Sequence, residues 1–282
     1  MSHWLEDGAL RWRALRPFGA EVDRDLSRPL NADEADAFVR LVWDHGLVLS
    51  RGQTLTMDEQ TALLAHLGPI LRREGESGYI STEVESAATR AGLAFHADAA
   101  YTDHPFDALS LHAVDVVDGA SSTRFVHAGH ALDTLPDDLR ARIAPCRQEM
   151  IAPAFETVGA RSCDIREHNP MVRSEGASIH RNPHSGRDVL WLGEMHAARL
   201  LDMTWEDSRD LLNSVFDHLY ADDRVYEHVW HRGDIVIWDN VALQHARGSL
   251  DAAGRRVLQR VIVGIAGVAP HVAQQGAAQA AM

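Results

Sequence analysis

His96, Asp98 and His245 supply two imidazoles and one carboxylate. Three such ligands can cap one face of an octahedral Fe(II) and leave the opposite face open. Dioxygen and a bidentate 2-oxo acid both need that open face, so the set points to oxygen chemistry rather than to a closed structural metal site. The His-x-Asp pair alone carries little weight. With 17 His and 26 Asp in 282 residues, chance gives about one or two such pairs, and the chain has one. The surrounding residues add more. In Leu93-Ala94-Phe95-His96-Ala97-Asp98, residues two apart on an extended segment share a face, so His96 and Asp98 can grip one ion from a short strand or its mouth. The third ligand arrives from elsewhere. Tyr226–Trp230, the turn His231–Asp234 and Ile235–Trp238 read as a β-hairpin with a glycine turn, and His245 follows just beyond Trp238-Asp239-Asn240.

His96-x-Asp98 followed by His245 inside Trp-Asp-Asn-x-x-x-x-His resembles the taurine dioxygenase/TfdA family of Fe(II)- and 2-oxoglutarate-dependent dioxygenases. Further segments agree in order, from about Gly19 to about Gly264. They are Gly19–Leu30, His45–Gln53, the turn Gly119–Thr123, His180–Arg187 and Arg255–Arg260. The resemblance implies a double-stranded β-helix, a jelly-roll of the cupin kind, mainly β with flanking helices. It implies His96, Asp98 and His245 as iron ligands, with Thr123 and Arg260 holding the distal carboxylate of 2-oxoglutarate. Tyr101 matches a position that faces the pocket, and Arg256 one that contacts an anionic substrate group in some members. The implied reaction consumes 2-oxoglutarate and O2, releases succinate and CO2, and hydroxylates or otherwise oxidises a small, anionic substrate. Asp98 occupies the coordination place that a halide would need, which favours hydroxylation over halogenation. Two departures bear on the site. Gly-Ala-Ser-Ser-Thr replaces the usual Gly-Gly-Asp-Thr before Thr123, and the stretch 75–91, in the region that shapes the substrate pocket, has no matching pattern.

A physical case for Arg260 stands beside the resemblance. A dicarboxylate that chelates iron at one end presents its other carboxylate to a planar guanidinium fork. Arg260 alternates with Leu258 and Ile262, so it is expected among apolar residues, where an arginine is costly without an anion. Arg256 shares that strand face, its α-carbon about 13 Å away; a solvated basic pair with Arg255 is the plainer reading. Trp238 packs under the site or is simply a core residue, while Asp239 and Asn240 serve to pin the loop that carries His245. His127 and His130 read as a loop and helix start, and His104, His180 and His184 as solvated polar residues. A cupin-type metal-dependent hydrolase or isomerase, which has no use for Arg260, and a non-catalytic jelly-roll binding protein are the alternatives.

At 282 residues the chain fits a single domain, with a core over about 16–268 and loose ends on either side, Val272–Met282 among them. A formal charge of −14 disfavours nucleic acid or an anionic membrane as partner, leaving a small-molecule substrate and leaving open a homo-oligomer. All 27 basic residues are arginine, which removes Schiff-base chemistry and a P-loop together. Two cysteines, no membrane-length apolar run and an N-terminus unlike a signal peptide make a reduced cytoplasm the expectation.

These residues must be held by recognisable elements. Asn31-Ala32-Asp33-Glu34 and Thr56-Met57-Asp58-Glu59 fit capping boxes. The first predicts a helix to about His45 with Phe38, Leu41 and Val42 inward. The second predicts one that ends by Gly68 after Leu63, Leu64 and Leu67. Leu47–Ser50 and Leu109–Val117 read as strands, Pro136–Ile143 as a short helix, and Trp205–Tyr220 as a longer amphipathic one.

Overall fold

Both capping boxes form. In helix α1 (Ala32–His45), Glu34 N–H donates to Asn31 Oδ1 (3.0 Å) and Asn31 N–H donates to the Glu34 carboxylate (2.9 Å). Gly46, at φ +74°, closes the helix in the left-handed conformation that glycine tolerates best. Helix α2 (Met57–Leu64) starts with the reciprocal Thr56–Glu59 pair. It is shorter than expected, with Leu67 buried in the turn that follows. The computed structural model describes residues 3–267 apart from residue 8, the stretches 72–77 and 83–89, and residues 169 and 171.

Two sheets face each other. The larger runs in spatial order β1 (Leu5–Asp7), β2 (Leu10–Ala14), β3 (Ala20–Val22), β4 (Leu47–Ser50), β15 (Ile235–Asp239), β7 (Ala108–Val116), β17 (Arg256–Val263) and β5 (Tyr79–Ser81). The smaller is β14 (Tyr226–Val229), β8 (Ser122–His127), β16 (Leu243–Arg247) and β6 (Leu93–His96). Leu47, Leu49, Leu109, Leu111, Trp238, Leu258 and Ile262 of the larger sheet meet Phe125 and Leu243 of the smaller in one apolar cluster. Behind the larger sheet, α1 and α2 bury Phe38, Leu41, Leu63 and Leu64 against Val48, Ile237 and Val261. Behind the smaller sheet lies a third cluster. It joins Phe95, Val126 and Ala246 to α3 (Ala128–Asp133), α4 (Asp137–Ile143) and α5 (Trp205–Leu219). A three-stranded sheet of β10 (Arg173–Ala177), β9 (Arg147–Ile151) and β13 (Ala197–Leu200) and a ribbon of β11 (Ile179–Arg181) with β12 (Asp188–Leu190) complete the described strands. This is the double-stranded β-helix expected from the sequence. Among the described residues no helix is long and apolar enough to cross a membrane, and Cys146 and Cys163 are both free and buried.

Two local expectations fail. Tyr226–Val229 and Ile235–Asp239 do not form a hairpin. The first pairs with β8 in the smaller sheet and the second with β4 and β7 in the larger. The connection crosses the sandwich beside the β7–β8 connection and is stitched to it and to β7. Trp230 N–H donates to Ser121 O (3.0 Å), and Gly233 N–H donates to Ala113 O (2.9 Å). Alternation specifies a strand but not its partner, and here burial of Trp230 between the sheets decides. The N-terminus is also better ordered than expected from Leu5 onward. β1 and β2 extend the larger sheet through β3, with Leu10 buried in the core. Residues 268–282 lie outside the described part.

Gly233 sits at φ +82°, and a Cβ there would lie 2.9 Å from the Gln53 carbonyl oxygen and 3.0 Å from its amide nitrogen. Neither backbone atom can rotate away. Gly233→Ala is therefore expected to destabilise the fold by about 1–3 kcal/mol, read as a lower denaturant midpoint at unchanged slope. A midpoint equal to wild type would contradict the close approach.

Candidate active site

His96 ends β6, and His245 occupies the middle of β16. The antiparallel register sets the two directly opposite, with ring centroids 4.2 Å apart. The chain leaves the sheet after His96 and brings Asp98 back, so that its Oδ1 lies 3.2 Å from His96 Nε2 and 3.8 Å from His245 Nε2. One donor atom from each of the three lies within 4.8 Å of the others. These residues thus come together as the sequence reading expects.

Electrostatics prepares them for a cation. His96 Nδ1 donates to Ala94 O (2.8 Å), which fixes the orientation of the ring and turns Nε2 toward Asp98. Burial, reinforced by the nearby His96, pushes the His245 imidazole down to about 3, so it is neutral and ligand-competent near pH 7. Desolvation opposes the charge on Asp98. The hydrogen bond from His96 and the charges of His245, His96 and Arg260 outweigh it, holding the carboxyl well below the ordinary carboxylate range. Two imidazoles and a carboxylate converging on one point fit a divalent ion with open positions.

The Trp238-Asp239-Asn240 segment does the pinning expected of it, divided between two loops. Asp239 Oδ1 accepts from Val241 N–H (2.8 Å) and Ala242 N–H (2.9 Å), shaping the turn into β16, while its Oδ2 accepts from Asn182 Nδ2 (2.7 Å). Asn240 reaches the other loop. Its Oδ1 accepts from Asp98 N–H (2.9 Å), and its Nδ2 donates to Asp98 O and Phe106 O (3.0 Å each). Trp238 is fully buried with its ring 5.1 Å from that of His245. On the outer face of β16, Gln244 donates to Leu192 O (2.7 Å) and accepts from the Tyr220 hydroxyl (2.5 Å).

Thr123 is buried on the inner face of β8, its hydroxyl accepting from Trp230 Nε1 (3.0 Å). Arg260 and Arg256 both belong to β17. Arg260 lies opposite Leu111 and is partly exposed, whereas Arg256 lies opposite Val116 and is only 3% exposed. A cavity of about 560 Å³ opens beside the triad, bounded by His96, Asp98 and Tyr101. It is also bounded by His196, a buried residue that the sequence reading passes over because it has no partner at ligand spacing. Of the other histidines, His127 caps α3 by accepting from His130 N–H (3.2 Å), as its reading as a helix start implies. His184 is exposed, as expected, but has partners. It stacks on Trp43 and faces Asp107 (3.2 Å), which raises its pKa.

The model of the "Taurine catabolism dioxygenase TauD, TfdA family" matches residues 11–262. The chain belongs to this family. It is accordingly a 2-oxoglutarate-dependent dioxygenase, of a family that uses Fe(II), 2-oxoglutarate and O2, and the metal-hydrolase and binding-module alternatives are set aside. A similar protein is the alpha-ketoglutarate-dependent 2,4-dichlorophenoxyacetate dioxygenase of Cupriavidus pinatubonensis, 26% identical over 86% of this chain and 93% of its own. Another is the pentalenolactone F synthase of Streptomyces avermitilis, 30% identical over 51% of each chain. In fold, the crystal structure of AAD-2 in complex with Mn(II) and N-oxalylglycine superposes with a TM-score of 0.78 at 21% identity, covering 93% of this chain and 99% of that one.

Asn240 holds the backbone on either side of the Asp98 side chain without being a ligand. Asn240→Ala is expected to weaken Fe(II) binding by about 10–100-fold in an anaerobic titration, with the far-ultraviolet circular dichroism unchanged. Wild-type iron affinity in the variant would remove Asn240 from the support of the site.

Proposed function

We propose that this dioxygenase oxidises a small organic acid bound in the cavity beside His96 and Asp98. The observation that carries the reading is the convergence of the three ligands, two of which line that cavity, with an arginine whose charge reaches Asp98 and His245. His96, Asp98 and His245 would hold the iron. When bound, Fe(II) supplies oxygen activation coupled to oxidative decarboxylation of 2-oxoglutarate to succinate and CO2. The protein's own part is to fix the ligands, keep His245 neutral and exclude water from the apolar interior.

The roles of the two arginines follow from depth. By the sequence reading, Arg260 takes the distal carboxylate of 2-oxoglutarate and Arg256 takes the substrate. Two observations support the exchange of those roles. Arg256 is the more buried, and it lies at the end of β17 next to Val116, beside the connection that leads into Thr123. Arg260 is nearer the triad and partly open, which suits an anion arriving with the substrate. Arg256 with Thr123 then holds the cosubstrate, and Arg260 orients the substrate. An anionic substrate also agrees with the carboxylate in the name of the Cupriavidus relative.

The first test is succinate formation that requires both 2-oxoglutarate and added Fe(II) under air. Asp98→Ala is expected to abolish it together with iron binding, and surviving activity would sink the ligand assignment. The second test separates the arginines. Truncating one partner of a buried charge pair costs about 2–5 kcal/mol, so Arg256→Ala should raise the apparent KM for 2-oxoglutarate by more than ten-fold on the order implied by that figure. Arg260→Ala should leave that KM nearly unchanged and instead impair turnover of carboxylate substrates relative to their amides. The opposite pattern would return the cosubstrate to Arg260.

A further inference from the structure

The cavity beside the triad has mostly apolar walls, among them Ala99, Tyr101, Ala152, Pro153, Val158 and Met195. Among the described residues, one buried, non-ligand polar side chain enters that wall, His196, at 5% exposure. It is held unusually firmly for a pocket residue. Its Nδ1 lies 2.9 Å from Ile151 O, while its own carbonyl accepts from Ile151 N–H (2.9 Å). His196 N–H donates to Gly193 O (3.0 Å), and the neighbouring Met195 N–H donates to Phe95 O (3.2 Å). The turn carrying His196 is therefore fastened to the strand carrying His96. The two rings meet edge to face at 5.8 Å, and Tyr101 flanks His196 at 5.1 Å.

This bonding fixes the chemistry of the ring. A carbonyl can only accept, so Nδ1 carries the proton and the neutral ring presents Nε2 as an acceptor. With Nδ1 turned to Ile151, the remaining valence of the imidazole is available on the cavity side. A rigid acceptor in an apolar wall discriminates strongly, because a ligand that cannot donate leaves it desolvated and unmatched.

We propose that His196 is a specificity-determining residue whose Nε2 accepts a hydrogen bond from an O–H or N–H group on a substrate with an otherwise apolar body. The proposal rests on the reading of this cavity as the substrate site. It adds to the anion contact of Arg260 a second polar point, in the cavity wall beside Met195.

Matched ligand pairs test it by calorimetry on the anaerobic Fe(II)- and 2-oxoglutarate-loaded protein. The probes are para-hydroxyphenylacetate against para-methylphenylacetate, and indoleacetate against N-methylindoleacetate. Wild type should bind at least one donor-bearing member about ten-fold tighter than its methylated twin, the worth of one such hydrogen bond and its loss. His196→Phe and His196→Asn should bind twins equally. Phenylalanine keeps the ring, and asparagine keeps a donor for Ile151 O, yet both lack the Nε2 acceptor. His196→Gln, whose Oε1 can stand where Nε2 stands, should retain part of the preference. Equal binding of twins by wild type, no binding of any donor-bearing probe, or an undiminished preference in His196→Asn would each overturn the proposal. Iron-dependent binding of 2-oxoglutarate itself, measured in the same wild-type sample, reports separately on the assignment of the enzyme's cosubstrate site.

Discussion

The register of β16 against β6 is the constraint on which the site depends. It sets His245 opposite His96, on the inner face of the smaller sheet. A slip by one residue would turn His245 outward and replace it with Gln244 or Ala246, because side chains alternate along a strand. The register is fixed from the outer side. Gln244 is tied to Leu190, Leu192 and Tyr220, and Phe95 stacks on Tyr220 with ring centroids 4.3 Å apart. The same residues that give the outer face its bonds thus orient the inner face for metal.

Asp98 is different, since it lies beyond the last residue of β6 and owes nothing to sheet pairing. Asn240 supplies the missing restraint by bonding both the amide and the carbonyl of Asp98, and Asp239 closes the turn that follows. One short segment therefore fixes the relation between two ligands that are 147 positions apart in the chain. Trp238 contributes the packing surface beneath His245. Position is set by backbone hydrogen bonds, while burial sets the charge state of His245.

Much of this was legible in the sequence. The capping boxes at Asn31 and Thr56 are local signals with local causes, and they form as read. The triad was legible because few residue sets have that composition and order. The sheet switch at Trp230 was not, because alternation in 226–229 and 235–239 describes strands without saying which neighbours they will have. Partnership is decided by contacts distant in sequence, here with Ser121 and Ala113. His196 was missed for a related reason. It stands alone between Met195 and Ala197, and only folding brings it against His96 and Tyr101. The signal available was a histidine in the mostly apolar stretch 189–200, which is expensive to bury without purpose. The arginines of β17 share one face, so their roles turn on depth, which the alternating pattern does not encode.

The central claim is that these three ligands form an iron site completed by 2-oxoglutarate. Anaerobic addition of 2-oxoglutarate to the Fe(II)-loaded protein tests it most directly, followed by visible absorption. A new charge-transfer band that saturates at one 2-oxoglutarate per iron, and is absent in both the metal-free protein and His245→Ala, is the predicted result. No band in the iron-loaded wild type, or the same band in His245→Ala, would contradict it.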